Sequence, residues 1–125
     1  MSGAPTGLIL FAHGARDAAW AAPFEAVAAR VRERRPHWQV ALAYLELMTP
    51  DLPQAAATLV QAGCQRVHIV PMFLGSGGHV RRDLPALVQQ LRDQHAGVQW
   101  SLHAAIGEHR DVIEAMAVAA LDDTD

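Results

Sequence analysis

Short apolar segments alternate along this chain with longer segments in which apolar residues recur at helical spacing. The strand-like segments span residues 8–12, 40–45, 67–74 and 98–102. The helix-like segments span about 18–34, 49–63 and 108–121, and a further one carries Leu84, Leu87, Val88 and Leu91. Continuous apolar runs are typical of strands covered on both faces, as in parallel sheets. The alternation therefore predicts an α/β fold, with a four-stranded parallel sheet and helices on both faces in three layers.

The order of these segments also predicts where a ligand binds. The expected strand order is 2-1-3-4, as in flavodoxin-like folds, and its connections reverse between the first and third strands. Ligands of such sheets bind beside that reversal, at the carboxyl ends of the strands. A chain of 125 residues has the size of one domain. We expect residues 1–125 to form it, with frayed tails at 1–6 and 122–125.

Three chemically active side chains fall at that edge of the predicted sheet. His13 directly follows the first strand, Glu46 ends the second, and His79 follows the third after a glycine-rich turn. A neutral imidazole binds first-row divalent metals and is a base near neutral pH. A nearby carboxylate can coordinate the metal, orient a histidine or accept a proton. The sequence thus predicts a site that combines metal binding with proton transfer.

The residues around these three favour a flat, anionic ligand. Glycines such as Gly77 and Gly78 allow close approach of the backbone to a bulky ring. Arginine side chains flank both histidines, and guanidinium groups pair well with carboxylates. These are Arg16, Arg81 and Arg82.

Each of these residues also has an ordinary structural interpretation. His13 could cap a strand end, and His79 could begin a helix. A carboxylate at Glu46 could stabilise the dipole of the helix that follows it. The arginines could be plain surface residues.

Composition limits the partners and the compartment. The net charge of −3 argues against general nucleic-acid binding, which needs a basic face. One cysteine, Cys64, excludes an internal disulfide and favours the cytoplasm. The apolar run at 8–12 is too short for a signal peptide or a membrane span. A hydrophobic content of 51% is ample for the core of a small domain and favours a partner surface as well.

Three sequence blocks resemble the short CbiX-type sirohydrochlorin chelatases, which are class II chelatases. The blocks are FAHGARD at 11–17, YLELMTP at 44–50 and VPMFLGSGGHVRRDLP at 70–85. The resemblance covers nearly the whole chain, and the third block is its most specific part. It implies a chelatase-like fold and a lyase that inserts Co²⁺ or Fe²⁺ into sirohydrochlorin, in cobalamin or sirohaem biosynthesis.

The same resemblance assigns roles to residues. It implies that His13 and His79 bind the metal and assist deprotonation of the macrocycle, with Glu46 as the acidic partner and a further candidate ligand. The divalent metal is then a substrate, and no organic cofactor is expected. The short members of the family are homodimers, so a second copy of the chain is the expected protein partner.

Two positions depart from the family pattern. Ala15 stands where a serine usually follows His-Gly, and Ala18 stands where a proline often follows Arg-Asp. The lost hydroxyl keeps open an alternative, a non-catalytic carrier of metal or tetrapyrrole on the same fold. A histidine phosphatase also has His-Gly after its first strand, but it needs an arginine where this chain has Ala12.

Overall fold

The computed structural model describes residues 3–75 and 77–124, with only the backbone described at 78–81. Within these residues, four parallel strands form one sheet in the order β2-β1-β3-β4. The strands are β1 (Thr6–Ala12), β2 (Gln39–Tyr44), β3 (Arg66–Pro71) and β4 (Gln99–Leu102). The helices are α1 (Ala22–Arg34), α2 (Leu52–Gln61), α3 (Gly78–Gln94) and α4 (Arg110–Asp122). The predicted α/β class and strand order are confirmed.

The strand β1 is the centre of the sheet because it pairs with β2 on one side and β3 on the other. Its alternate side chains enter two cores. Ile9 and Phe11 pack into the larger core with residues of α2 and α3, such as Leu59 and Val88. Leu10 and its neighbours pack on the opposite face with Ala28 of α1. The continuous apolar run follows from this burial on both faces.

Several predicted boundaries differ from the structure, and two of them have a clear local cause. The helix α2 does not begin at Thr49-Pro50, because Asp51 is its N-cap and accepts a hydrogen bond from the backbone N–H of Gln54 at 2.9 Å. The side chain of Gln54 accepts from the N–H of Asp51 in return, which completes a capping box. Strand β3 ends at Pro71 rather than at residue 74. A proline at that end is the position expected for a residue that cannot donate a ladder hydrogen bond.

The last helix, α4, barely contacts the rest of the molecule. Among its residues none is buried, and Val112 alone is half-buried. Nine of its 13 residues are apolar, and Ile113, Val118 and Leu121 are each at least 50% exposed. A helix that is apolar around most of its surface is normally buried.

Among the described residues, no helix is both long and apolar enough to cross a membrane.

Candidate functional site

The loops after β1 and β2 form one wall of a cleft at the carboxyl edge of the sheet. Hydrogen bonding between the two chains continues past the strands: Leu45 donates to the carbonyl of Ala12 at 2.9 Å, and Glu46 donates to the carbonyl of His13 at 3.1 Å. The side chains of His13 and Glu46 are both exposed. The fold therefore places the imidazole and the carboxylate on neighbouring loops that are tied together by their backbones.

Gly14 makes this close approach of the two loops possible. Its φ is +91°, a conformation that glycine adopts without strain. A Cβ at this position would overlap the carbonyl oxygen of Glu46. The glycine after His13 is thus required by two independent features of the local backbone.

The cleft beside this wall has a volume of about 400 Å³. Its opposite wall is the first half of α3, where Asp83 is exposed, Leu84 is buried and Leu87 is half-buried. The residues that line it are Phe11, His13, Leu45, Glu46, Asp83, Leu84 and Leu87. An apolar floor with a few polar groups at the rim is the usual composition of a small-molecule site.

The imidazole of His13 packs against the ring of Phe73. The two ring centroids are 4.6 Å apart, and the planes are tilted by 43°. Phe73 is only 4% exposed and also contacts Phe11, at a centroid distance of 6.1 Å. One side of the imidazole is therefore supported by a fixed aromatic ring, while His13 as a whole stays open to solvent.

The other predicted site residues are not among the described residues that line the cleft. Arg16 and Arg82 are exposed, and neither is among the described residues that line the cleft. Gly77 is exposed and precedes α3 as its N-cap. The backbone of Gly78, His79 and Arg81 runs through the first turn of α3, but their side chains lie outside the described residues.

Sequence reasoning missed several residues of the site, among them Asp83, Phe73 and Leu45. Asp83 follows His79 by four residues within α3, so the two positions share one face of the helix. That spacing was available in the sequence and could have identified Asp83. The contact between Phe73 and His13 joins residues 60 positions apart and has no local signal.

This arrangement can hold a metal ion weakly and take up protons. An exposed imidazole can bind a divalent ion while other coordination positions stay open. Glu46 and Asp83 can accept protons or assist the ion's approach. Among the described side chains, no three His, Cys, Asp or Glu groups cluster closely enough to enclose a metal.

Comparison with known proteins identifies the family. The CbiX family model matches residues 7–122, which is almost the entire chain. The chain belongs to the CbiX family. A solved CbiX structure from Marinobacter aquaeolei, described as a putative cobalamin biosynthesis protein, is 33% identical and superposes with a TM-score of 0.83. That match covers 95% of this chain and 97% of the other.

Two curated relatives of this CbiX chain are named as chelatases. The sirohydrochlorin cobaltochelatase of Methanocaldococcus jannaschii is 33% identical over 70% of this chain and 62% of its own length. The chloroplastic sirohydrochlorin ferrochelatase of Arabidopsis thaliana is 27% identical over 88% of this chain and 49% of its own length. The chain therefore spans about half to two thirds of the length of these relatives.

A more distant structure shares the fold. The sirohydrochlorin chelatase SirB of Bacillus subtilis, solved in complex with cobalt, is 20% identical and has a TM-score of 0.74. The match covers 94% of this chain but 50% of SirB. This CbiX chain therefore corresponds to half of the SirB fold.

Proposed function

We propose that this protein inserts a divalent metal, Co²⁺ or Fe²⁺, into sirohydrochlorin. The observation that carries the proposal is the pairing of His13 with Glu46 at the rim of an apolar cleft, on loops joined by the 3.1 Å hydrogen bond between their backbones. The curated relatives named as cobaltochelatases and as a ferrochelatase support both metals. The product serves cobalamin or sirohaem biosynthesis, and the reaction needs no organic cofactor.

The proposed reaction exchanges one metal ion for two protons. His13 binds the incoming ion through a neutral imidazole nitrogen and leaves positions open for the pyrrole nitrogens. The macrocycle lies against the apolar side chains of the cleft, and its two N–H protons leave to solvent by way of Glu46. The nitrogens of the doubly deprotonated ring then replace the imidazole as ligands, and the metallated ring is released.

His79 is proposed as the second metal-binding histidine. Asp83 lines the cleft, and the position of His79 is one helical turn earlier on the same face of α3. That position on the helix supports the assignment of His79 as the second ligand. Glu46 is the further candidate ligand.

Substrate carboxylates are proposed to pair with arginines around the cleft. Arg16 lies on the loop after β1, and Arg82 precedes Asp83 on α3, so each is close in sequence to a residue that lines the cleft. Arg81 is the third candidate, and the backbone at Gly77 and Gly78 would accommodate the ring edge. Guanidinium groups bind carboxylates through paired hydrogen bonds.

A homodimer in the cytoplasm completes the proposal, with the 125 residues as one domain in each copy. The apolar and exposed helix α4 supports the dimer, as does the match to half of a longer chelatase. The single cysteine, Cys64, is buried and unpaired, which fits a reducing compartment.

The sheet offers a surface on which α4 of a second copy could dock. On the face that carries α1, His68 and Val70 of β3 are half-buried and His103 is exposed. Reciprocal docking of two helices, each about 20 Å long, would cover this strip in both copies.

Anaerobic incubation with sirohydrochlorin and either metal tests the function directly. Metal insertion changes the absorbance of the macrocycle, so the initial rate can be read for each variant. His13→Ala should lower the rate by at least about 100-fold. His37→Ala is the matched control, because His37 is exposed and lies before β2, at the other edge of the sheet. Insertion by His13→Ala at the wild-type rate would refute the assignment.

A measurement of turnover distinguishes the proposed enzyme from the alternative, a non-catalytic carrier. Ala15, a half-buried residue that lacks the usual hydroxyl beside His13 and Gly14, is the feature that favours the carrier. A carrier would bind metal and macrocycle without exceeding the uncatalysed rate of metallation. Several metallated products per chain would exclude it.

A further inference from the structure

Gly107 lies where the loop after β4 meets the loop after β3. It is buried within a short 3₁₀ turn, Ile106–Glu108, and its N–H donates to the carbonyl of Phe73 at 2.9 Å. A Cβ at this position would overlap the carbonyl oxygen, the Cα and the carbonyl carbon of Leu74. All three atoms belong to the backbone, so no side-chain rotation could relieve the overlap.

The segment that Gly107 contacts also supports the metal-binding histidine. Phe73, the acceptor of the Gly107 hydrogen bond, places its ring 4.6 Å from the imidazole of His13. Its burial leaves the ring few alternative positions. A displacement of the backbone at residues 73–74 would therefore move the ring that supports His13.

We propose that Gly107 is a positioning residue for His13, acting through Phe73. Because it has no side chain, the loop after β4 lies directly against the backbone of Leu74. This contact fixes the position from which Phe73 supports the imidazole at the cleft. The role deepens the proposed function and rests on it, since it concerns the direction in which His13 presents its nitrogen to the metal.

A small displacement of His13 is expected to lower the rate of metal insertion strongly. Ligands of a functional site have to be held within about 0.5 Å and 10–20° of their productive geometry. Relief of the overlap at Gly107 requires a shift of the Leu74 backbone on the order of 1 Å, and displacements of that size can lower rates about 100-fold. If Gly107 had only a structural role, its replacement by alanine would lower stability without changing the position of His13 in the folded protein.

Gly107→Ala tests the proposal, with Gly97→Ala as the matched control. Gly97 precedes β4 and has no atom within 4 Å of an added Cβ. We expect Gly107→Ala to shift the imidazole proton resonances of His13, because ring-current shifts depend on the geometry of Phe73. We also expect a Kd for Co²⁺ at least tenfold higher, and a kcat for metal insertion that falls more than KM changes. Gly97→Ala should match the wild type in all three measurements.

A second variant keeps the test decisive if Gly107→Ala does not fold. Phe73→Leu keeps Gly107 but removes the aromatic support, so its Kd for Co²⁺ should rise and its insertion rate should fall. A Phe73→Leu protein with the wild-type Kd for Co²⁺ and the wild-type insertion rate would overturn the proposal. A folded Gly107→Ala protein with unchanged His13 resonances and unchanged Co²⁺ affinity would overturn it as well. If the wild-type protein bound Co²⁺ at His13 but did not metallate sirohydrochlorin, the chelatase assignment would fail. The resonances and affinities would still decide the role of Gly107.

Discussion

The backbone N–H of Glu46 donates a hydrogen bond to the carbonyl of His13, with a donor–acceptor distance of 3.1 Å. This bond extends the pairing of β1 with β2 beyond the last residues of both strands. The imidazole and the carboxylate proposed for metal insertion are therefore fixed relative to each other by the backbone.

Gly14→Ala should disrupt this relationship. The positive φ alone costs about 1–2 kcal/mol for a residue with a side chain, and the added Cβ would also push the Glu46 carbonyl away. We expect a loss of unfolding free energy above that range and a reduced rate of metal insertion. Urea denaturation and the absorbance assay measure the two effects. Stability equal to that of Gly97→Ala would contradict the prediction.

Asp83→Asn should slow metal insertion by about 10–100-fold, the range expected when a polar group that supports a metal site is removed. Asp83 is exposed at the wall of the cleft opposite His13 and Glu46. The substitution keeps the size of the side chain, and circular dichroism checks that the variant is folded before its rate is measured. Asp93→Asn, two to three turns further along α3, is the control and should retain the full rate. Equal rates for the two variants would remove Asp83 from the site.

The stability of the protein should fall as the pH drops below neutral, in part because of His68. Burial, together with the neighbouring His103 and Arg66, lowers the pKa of His68 below its ordinary value of 6.5. The unfolded chain takes up a proton near that value, but the folded chain resists it. The contribution of neutral His68 to the free energy of unfolding is therefore fully present above about pH 6.5. It is lost as the pH falls toward the lower pKa of His68 in the folded protein.

His68→Phe should reduce this pH dependence. The free energy of unfolding, measured in urea at about pH 7.5 and about pH 5.5, should differ less for the variant than for the wild type. His37→Phe replaces an exposed histidine and should leave the difference unchanged. A His68→Phe protein with the wild-type pH dependence would show that this group does not contribute.

Charge placed on α4 should separate the proposed dimer. Wild-type protein should sediment with the mass of two 13.5 kDa chains, and Ile113→Glu combined with Met116→Glu should sediment as one chain. Glu114→Gln, on the same helix, is the control and should remain dimeric. Wild-type protein that sediments as a monomer at tens of micromolar would contradict the proposal.

The sequence was sufficient to predict the topology and the position of His13 and Glu46 at one edge of the sheet. The apolar run of β1 ends directly before His13, so the parallel-sheet pattern placed this residue at the correct edge. The start of α2 was harder to predict, because Thr49-Pro50 and Asp51 both match the local signals for a helix start. The reciprocal hydrogen bonds between Asp51 and Gln54 place the start of α2 at Asp51.

Long-range contacts account for what the sequence did not reveal. The contact of Phe73 with His13 and that of Gly107 with Leu74 depend on loops from three different strands meeting at one edge. The apolar pattern of α4 predicts a buried helix, yet in the single chain no residue of α4 is buried. A pattern of this kind does not specify which surface covers the helix.

The two walls of the cleft are attached to the sheet in different ways. Hydrogen bonds that continue the sheet hold the wall with His13 and Glu46, whereas the wall with Asp83 and Leu84 follows a glycine-containing connection after β3. Substitutions at Gly75 or Gly77, which lie beyond Phe73 in that connection, would change the width of the cleft and leave the backbone pairing of His13 with Glu46 in place. The width of the cleft and the pairing of the two loops that carry the imidazole and the carboxylate are thus separable traits of this fold.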